Sequence, residues 1–154
     1  GGNTVKCVVT ENGLQFVTGT VLETLSGNRV YTALFNTGEY DPLHISLGKW
    51  ADILLVAPAT ADIISKYACG ICDDLLTSLL LEFAAPVFLC PAMNQKMWDA
   101  WQIKENISRL KKHGVKNIFL KYTGGKSFHI AVPFESFPET VNYRPTRLQY
   151  PEIP

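Results

Sequence analysis

Apolar runs of five or six residues alternate with stretches of helical period along this chain, which is the pattern of a parallel sheet covered by helices, an α/β layered fold. Val5-Lys6-Cys7-Val8-Val9 reads as a strand. Leu14, Val17, Val21 and Leu25 then recur at helical spacing until Ser26-Gly27-Asn28 stops them. After a turn-rich stretch from Asn36 to Pro42, a short helix is expected over His44 to Trp50. A second, buried strand follows over Ile53 to Ala57 and ends at Pro58. Helix resumes after Thr60. Leu75, Leu76, Leu79, Leu80 and Phe83 stripe one face of a further helix, Val87 to Cys90 makes a third strand, and Ile103, Ile107 and Leu110 mark a helix closing at Gly114. Val115 to Leu120 would be a fourth strand. Tyr122 to Pro154 has little periodicity and carries Pro133, Pro138, Pro145, Pro151 and Pro154. The expectation is therefore a domain over 1–120 and an extended C-terminal arm over 121–154, suited to wrapping a neighbouring subunit.

Composition bounds the function classes. With 154 residues, 47% of them hydrophobic, the chain can fill a single core. Fourteen Lys plus Arg balance fourteen Asp plus Glu, so no basic field exists to gather phosphate backbones, and nucleic acid is not an expected partner. Cys7, Cys69, Cys72 and Cys90 lie inside apolar stretches rather than in the spacing of a secreted disulfide scaffold. Buried reduced thiols in a reducing cytoplasm are expected from them. The longest apolar stretch, Leu75 to Leu89, is interrupted by Thr77, Ser78, Glu82 and Pro86, which speaks against a membrane span, and no signal-peptide pattern stands at the start.

Candidate functional residues gather where strands hand over to helices. Pro58-Ala59-Thr60-Ala61-Asp62-Ile63 lies at a strand-to-helix turn, the crevice in which open α/β sheets place nucleotides, and its small residues let a ring system approach the backbone. Standing alone, it would be an ordinary connection. Thr10-Glu11-Asn12 occupies the equivalent exit from the preceding strand. His44 carries an imidazole, whose ordinary pKa near ~6.5 suits proton movement at neutral pH, although a lone His at a helix start is more often a solvated or capping residue. Asn94 offers a donor and an acceptor in one plane, and also fits a helix N-cap after Pro91. Met93, Met97 and Trp98 either flank a ligand or fill core.

Three other patterns carry less. Cys69-Gly70-Ile71-Cys72 has the CxxC spacing of redox and zinc sites but no second CxxC or His pair, so packed thiols are expected. Gly124-Gly125-Lys126-Ser127 imitates the end of a phosphate loop, yet Leu120 stands where that loop needs glycine. His113 before Gly114 is explained as a cation at a helix C-terminus, and His129 has no evident partner.

The blocks His44-Ile45-Ser46-Leu47-Gly48-Lys49-Trp50-Ala51-Asp52, Pro58-Ala59-Thr60-Ala61-Asp62 and Pro91-Ala92-Met93-Asn94-Gln95-Lys96-Met97-Trp98 resemble, in this order, the HIxLxxWAD, PA(S/T)A(N/D) and PxMNxxMW motifs of the flavin-dependent cysteine decarboxylases. The resemblance runs from about Val5 to about Lys116. It implies an open parallel-sheet, flavodoxin/Rossmann-like three-layer sandwich and FMN as cofactor. Thr10, Glu11, Asn12, Thr60, Ala61, Asp62, Ile63 and Ala92 match its flavin-binding positions, His44 its essential histidine and Asn94 its contact to the substrate carboxylate. No metal is implied. Thr60 and Asp62 stand where Ser and Asn are common in the family, which keeps an oxygen at each place.

The implied reaction converts 4'-phosphopantothenoylcysteine to 4'-phosphopantetheine in coenzyme A synthesis. A hydride equivalent leaves the carbon beside sulfur, the resulting thioaldehyde lets CO2 depart, and the hydride then returns to the enethiol. Trimers or dodecamers with the flavin at a subunit boundary are implied as well. Two departures qualify the resemblance. Family members begin with a strand, a Gly-Ser-Ile/Val-Ala turn and a helix, roughly 25 residues by average lengths, before the strand that here starts near Val5. A parallel sheet without that strand would expose a long edge, so the folded protein is expected to contain further residues. The family's mobile flap, with its Ala-Cys-Gly-Asp segment, has no match after Lys116. Alternatives are a peptidyl-cysteine decarboxylase and a non-catalytic regulatory flavoprotein of the halotolerance type, the retained His44 arguing against the latter.

Overall fold

The computed structural model describes residues 2–35 and 42–115, together with the backbone of strand segments at 119–122, 128–131, 140–141 and 144–145. It divides into two compact units, Gly1–Asp52 with Ile63–Ala85, and Ile53–Asp62 with Pro86–Pro154.

The first unit opens with a β-α-β element. Strand β1 (Cys7–Val8) pairs in parallel with β2 (Val30–Tyr31), in the register Cys7 to Val30 and Val8 to Tyr31. Helix α1 (Gly19–Ser26) connects them, capped by Thr18, whose hydroxyl accepts from the Val21 amide at 3.4 Å. Gly27, at φ 67°, ends it in the left-handed conformation that glycine adopts most easily. The helix expected from Leu14 onward thus begins later, because Gly13–Gln15 forms a single 3-10 turn first. Its apolar stripe is not core either: Val21 is 49% exposed and Leu25 79%.

Helix α2 (Leu43–Trp50) buries Leu43 and Leu47 and packs against α4 (Leu75–Glu82), which buries Leu75, Thr77, Leu79 and Leu80. Gly48 lies at the contact. A Cβ there would stand 3.4 Å from Glu82 Cγ and 3.7 Å from Leu79 Cδ1, ordinary contact distances, so the helix contact has room for a methyl group. The start of α4 is fixed by a reciprocal cap: Asp74 Oδ1 accepts from the Thr77 amide at 2.7 Å, and Thr77 Oγ1 accepts from the Asp74 amide at 3.0 Å. Helix α3 (Ala61–Cys69) ends where Gly70 takes φ 70° and the Ile71 amide reaches back to the Lys66 carbonyl at 2.9 Å.

In the second unit β3 (Leu54–Ala59) and β4 (Val87–Pro91) run parallel, pairing Leu54, Leu55 and Val56 with Val87, Phe88 and Leu89, and Ala59 with Pro91 after a register shift. The Ala57–Pro58 peptide bond within that shift is cis. Residues Val87 to Cys90 are all buried, as a strand covered on both faces requires. By contrast, β3 is not the fully buried strand expected: only Val56 and Ala59 are buried, and Leu55 is 52% exposed. Helix α5 (Gln95–Asp99) leads into α6 (Trp101–Lys112), which buries Ile103 and Leu110 and closes at Gly114, φ 88°.

Beyond α6, β5 (Phe119–Tyr122) pairs antiparallel with β6 (Phe128–Ala131), and β7 (Thr140–Val141) with β8 (Arg144–Pro145). The strand expected over Val115 to Leu120 therefore starts later and forms a hairpin-type pair instead of extending the parallel set. Parallel strands joined through helices give the chain its α/β character, and among the described residues no helix is long and apolar enough to cross a membrane.

Candidate active site

Thr10, Glu11 and Asn12 follow β1 in the first unit. Thr10 Oγ1 accepts from the Gly13 amide at 3.1 Å, folding the segment into a tight turn that leaves Glu11 and Asn12 exposed. A Cβ on Gly13 would stand 3.0 Å from Val9 Cγ1 and 3.2 Å from Thr10 Oγ1, so only glycine fits without displacement. Sequence reasoning passed over Gly13; its signal was the position three residues after a turn-forming threonine.

His44, also in the first unit, is the second residue of α2 and is half-buried. Its Nδ1 is buried and has no hydrogen-bond partner among the described residues. Such an orphaned polar atom costs about 1–3 kcal/mol, and a ligand that brings a donor or acceptor recovers that cost.

The second unit brings the two remaining blocks together. The Ala92 amide donates to the Ala59 carbonyl at 3.0 Å, which sets Thr60-Ala61-Asp62 beside Ala92-Met93-Asn94 where β3 and β4 end. Carboxyl ends of parallel strands are where open α/β sheets hold their ligands. Thr60 and Asp62 are exposed, and Asp62 occupies the first turn of α3, where a helix favours negative charge. Ile63, at 6% exposure, commits its side chain to the core, so only its backbone remains for a ligand. Ala92 is exposed and adds no bulk beyond Cβ.

Asn94 is the N-cap of α5: its Oδ1 accepts from the Met97 amide at 2.9 Å, while the residue itself is exposed. With the oxygen so engaged, the Nδ2 group is the donor it can offer a carboxylate. Met97 is exposed rather than core, and Trp98 is half-buried beneath the Lys104 ammonium, 4.6 Å from its ring centre.

Other expectations resolve differently. Cys69 and Cys72 are both exposed, which corrects the expectation of packed thiols, whereas Cys90 is buried and its thiol pKa is pushed up by that burial. Among the described residues no group of three or more His, Cys, Asp and Glu could hold a metal ion. The backbone amide of His113 closes α6 on the carbonyls of Arg109, Leu110 and Lys111. The Gly124-Gly125-Lys126-Ser127 segment lies outside the described residues.

The sequence model of the Flavoprotein family matches residues 1–132, further than the span from Val5 to Lys116 on which the motif resemblance rested. The coenzyme A biosynthesis bifunctional protein CoaBC of Bacillus subtilis is 45% identical over 116 residues, covering 73% of this chain and 28% of that protein. The chain spans about three-tenths of the length of such curated relatives. Among solved structures, the FMN-dependent cysteine decarboxylase SpaF superposes with a TM-score of 0.74 at 27% identity, covering 84% of this chain and 73% of that one. A PPC decarboxylase mutant complexed with pantothenoylaminoethenethiol gives 0.64 at 29% identity, covering 84% and 77%. Matched by the family model over most of its length, this chain belongs to the Flavoprotein family.

Proposed function

We propose that the protein is an FMN-dependent carbon–carbon lyase that decarboxylates 4'-phosphopantothenoylcysteine to 4'-phosphopantetheine in coenzyme A biosynthesis. The observation that carries this reading is the pairing of Thr60-Ala61-Asp62 with Ala92-Met93-Asn94 through the bond between Ala92 and Ala59. Relatives named for coenzyme A biosynthesis and a PPC decarboxylase of related structure support the substrate class.

The residues present fit a flavin. Ala61 and Ala92 add no bulk beyond Cβ at the ends of the two strands, and the unpartnered His44 Nδ1 calls for a polar partner. The candidates to hold it are Thr10, Glu11, Asn12 and the backbone of Ile63 in the first unit, and Thr60, Ala61, Asp62 and Ala92 in the second. Bound FMN would supply two-electron redox chemistry at the carbon beside sulfur. Asn94 Nδ2 donates to the substrate carboxylate and orients it for loss as CO2. His44 takes the thiol proton, so that sulfur can share electron density with the carbon being oxidised, and gives a proton back as the product thiol forms.

A homotrimeric or dodecameric assembly in the cytoplasm accompanies this reading. The assembly's support is the exposure of large apolar side chains in the first unit, Phe16 at 93% and Phe35 at 86%.

The test is reconstitution. Protein supplied with FMN should turn yellow and release CO2 from phosphopantothenoylcysteine, read as the corresponding mass loss. A colourless protein that takes up no FMN would refute the cofactor. Turnover of a peptide ending in cysteine, with none of phosphopantothenoylcysteine, would move the same chemistry to a peptidyl substrate.

A further inference from the structure

Outside the proposed active site, the least expected chemistry lies at the end of α3. Cys69 is the last residue of that helix, and Cys72 follows after two residues; both side chains are exposed. Gly70 between them adopts φ 70°, and no described atom lies within 4 Å of the position a Cβ would take. The backbone turns back at once, because the Ile71 amide bonds the Lys66 carbonyl at 2.9 Å. Lys66 and Asp73, which bracket the two cysteines, are joined by an ion pair of 2.9 Å. On the far side, Thr77 Oγ1 accepts from the Asp73 amide at 3.1 Å and from the Asp74 amide at 3.0 Å. Both flanks of the segment from Cys69 to Cys72 are thereby held while the two cysteines are exposed.

We infer that Cys69 and Cys72 form a redox-responsive dithiol that closes reversibly to a disulfide by exchange with small-molecule disulfides. Packed thiols would be inert, whereas exposed ones at this spacing can react in sequence. A structural zinc would need two more ligands, and among the described residues no group of three or more His, Cys, Asp and Glu could hold a metal ion. A disulfide needs only that the two Cα atoms lie within about 4.4–6.8 Å, a range open to residues three apart in a turning segment.

The exchange balances as follows. One cysteine loses its proton and its thiolate attacks a sulfur of RSSR, forming a mixed disulfide and expelling RS⁻, which takes up a proton as RSH. The second cysteine, deprotonated in turn, attacks the protein sulfur of that mixed disulfide. The bond between Cys69 and Cys72 forms, a second RS⁻ leaves and is protonated, and two protein thiols have been oxidised while one small disulfide has been reduced to two thiols. The closed bond ties the end of α3 to the segment that enters α4.

The test uses the full chain loaded with FMN, fully reduced and then exposed to oxidised glutathione, with free thiols trapped in acid and peptides mapped by mass. The wild type should lose two hydrogens at the peptide carrying Cys69 and Cys72, and dithiothreitol should restore them. Cys69→Ser and Cys72→Ser should each instead retain one glutathione on the remaining thiol, because the resolving partner is gone. Glutathione held on the wild-type pair without ring closure, a disulfide formed between chains through these residues, or an unreacted pair under conditions that glutathionylate both serine variants would each overturn the inference.

Discussion

The Ala92 amide and the Ala59 carbonyl, 3.0 Å apart, join the ends of neighbouring parallel strands just past a register shift in their ladder. Pairing that stopped at Val56 and Leu89 would leave the two following turns free to drift. Resumed at Ala59, it holds two motif blocks, separated by some thirty positions of chain, at one end of one strand pair.

Replacing Asn94 tests that arrangement. Asn94→Asp retains an oxygen for the Met97 amide, so thermal stability should be nearly unchanged. Against a substrate carboxylate, however, a second negative charge at hydrogen-bond distance costs several kcal/mol, and substrate affinity should collapse. Calorimetric binding beside a melting curve separates the effects, and unchanged affinity would remove Asn94 from the substrate.

For His44→Asn we expect FMN binding to persist while decarboxylation falls by at least ~100-fold, the scale of losing a positioned acid–base group. Stopped assays with the flavin-loaded variant measure this. Near-normal turnover would place the proton transfer elsewhere.

Thr77→Val keeps the shape of a side chain that is 1% exposed but deletes the oxygen serving the Asp73 and Asp74 amides. Stability should drop by about 1–3 kcal/mol in urea unfolding, since donors near the buried site lose their acceptor. Thr77→Ser should recover most of the loss.

Gly48 offers a graded probe of the contact between α2 and α4. Gly48→Ala adds a Cβ into ordinary contact distance of Leu79 and Glu82 while removing about 0.5–1 kcal/mol of helix-disfavouring backbone freedom, so it should be neutral or stabilising. Gly48→Phe should cost about 1–3 kcal/mol through overpacking. Equal melting temperatures for the two variants would contradict that contact.

Acid should weaken the link across the cysteine loop. The Lys66 ammonium, by hydrogen bonding first and charge second, holds the Asp73 carboxyl below the usual aspartate range. A depressed carboxylate lends stability above the unfolded-state value of about 4 and loses it as pH falls through the folded-state value. The wild type should therefore exceed Lys66→Met by a small, salt-sensitive margin near neutrality, and the margin should vanish in strong acid.

Local rules made some elements legible and left others hidden. Helix α4 could be read because Leu75, Leu79 and Leu80 of its stripe are the face it buries. Helix α1 was misplaced because periodicity in Leu14, Val17, Val21 and Leu25 competes with the Thr10–Gly13 turn, and the turn's hydrogen bond wins. Exposure of Leu55, Cys69 and Cys72 was out of reach, since apolar neighbours in sequence do not say which elements cover a residue in space. The motif blocks named His44 and Asn94 as candidates. That His44 Nδ1 lacks a partner depends on neighbours distant in the chain, which no spacing reveals.

The cap made by Asn94 also settles what its other end can do. Because Oδ1 is already held by the Met97 amide, rotation about the side-chain bonds is restrained and the nitrogen edge is the one left over for a ligand. A ligand carboxylate meeting that edge loses its own freedom but extracts none from the protein, so the ordering cost of about 0.5–1.5 kcal/mol for a mobile side chain is met at folding instead. Glutamine, one methylene longer, could carry the same amide yet not hold both ends in register, which makes the shorter side chain a requirement of geometry rather than of chemistry.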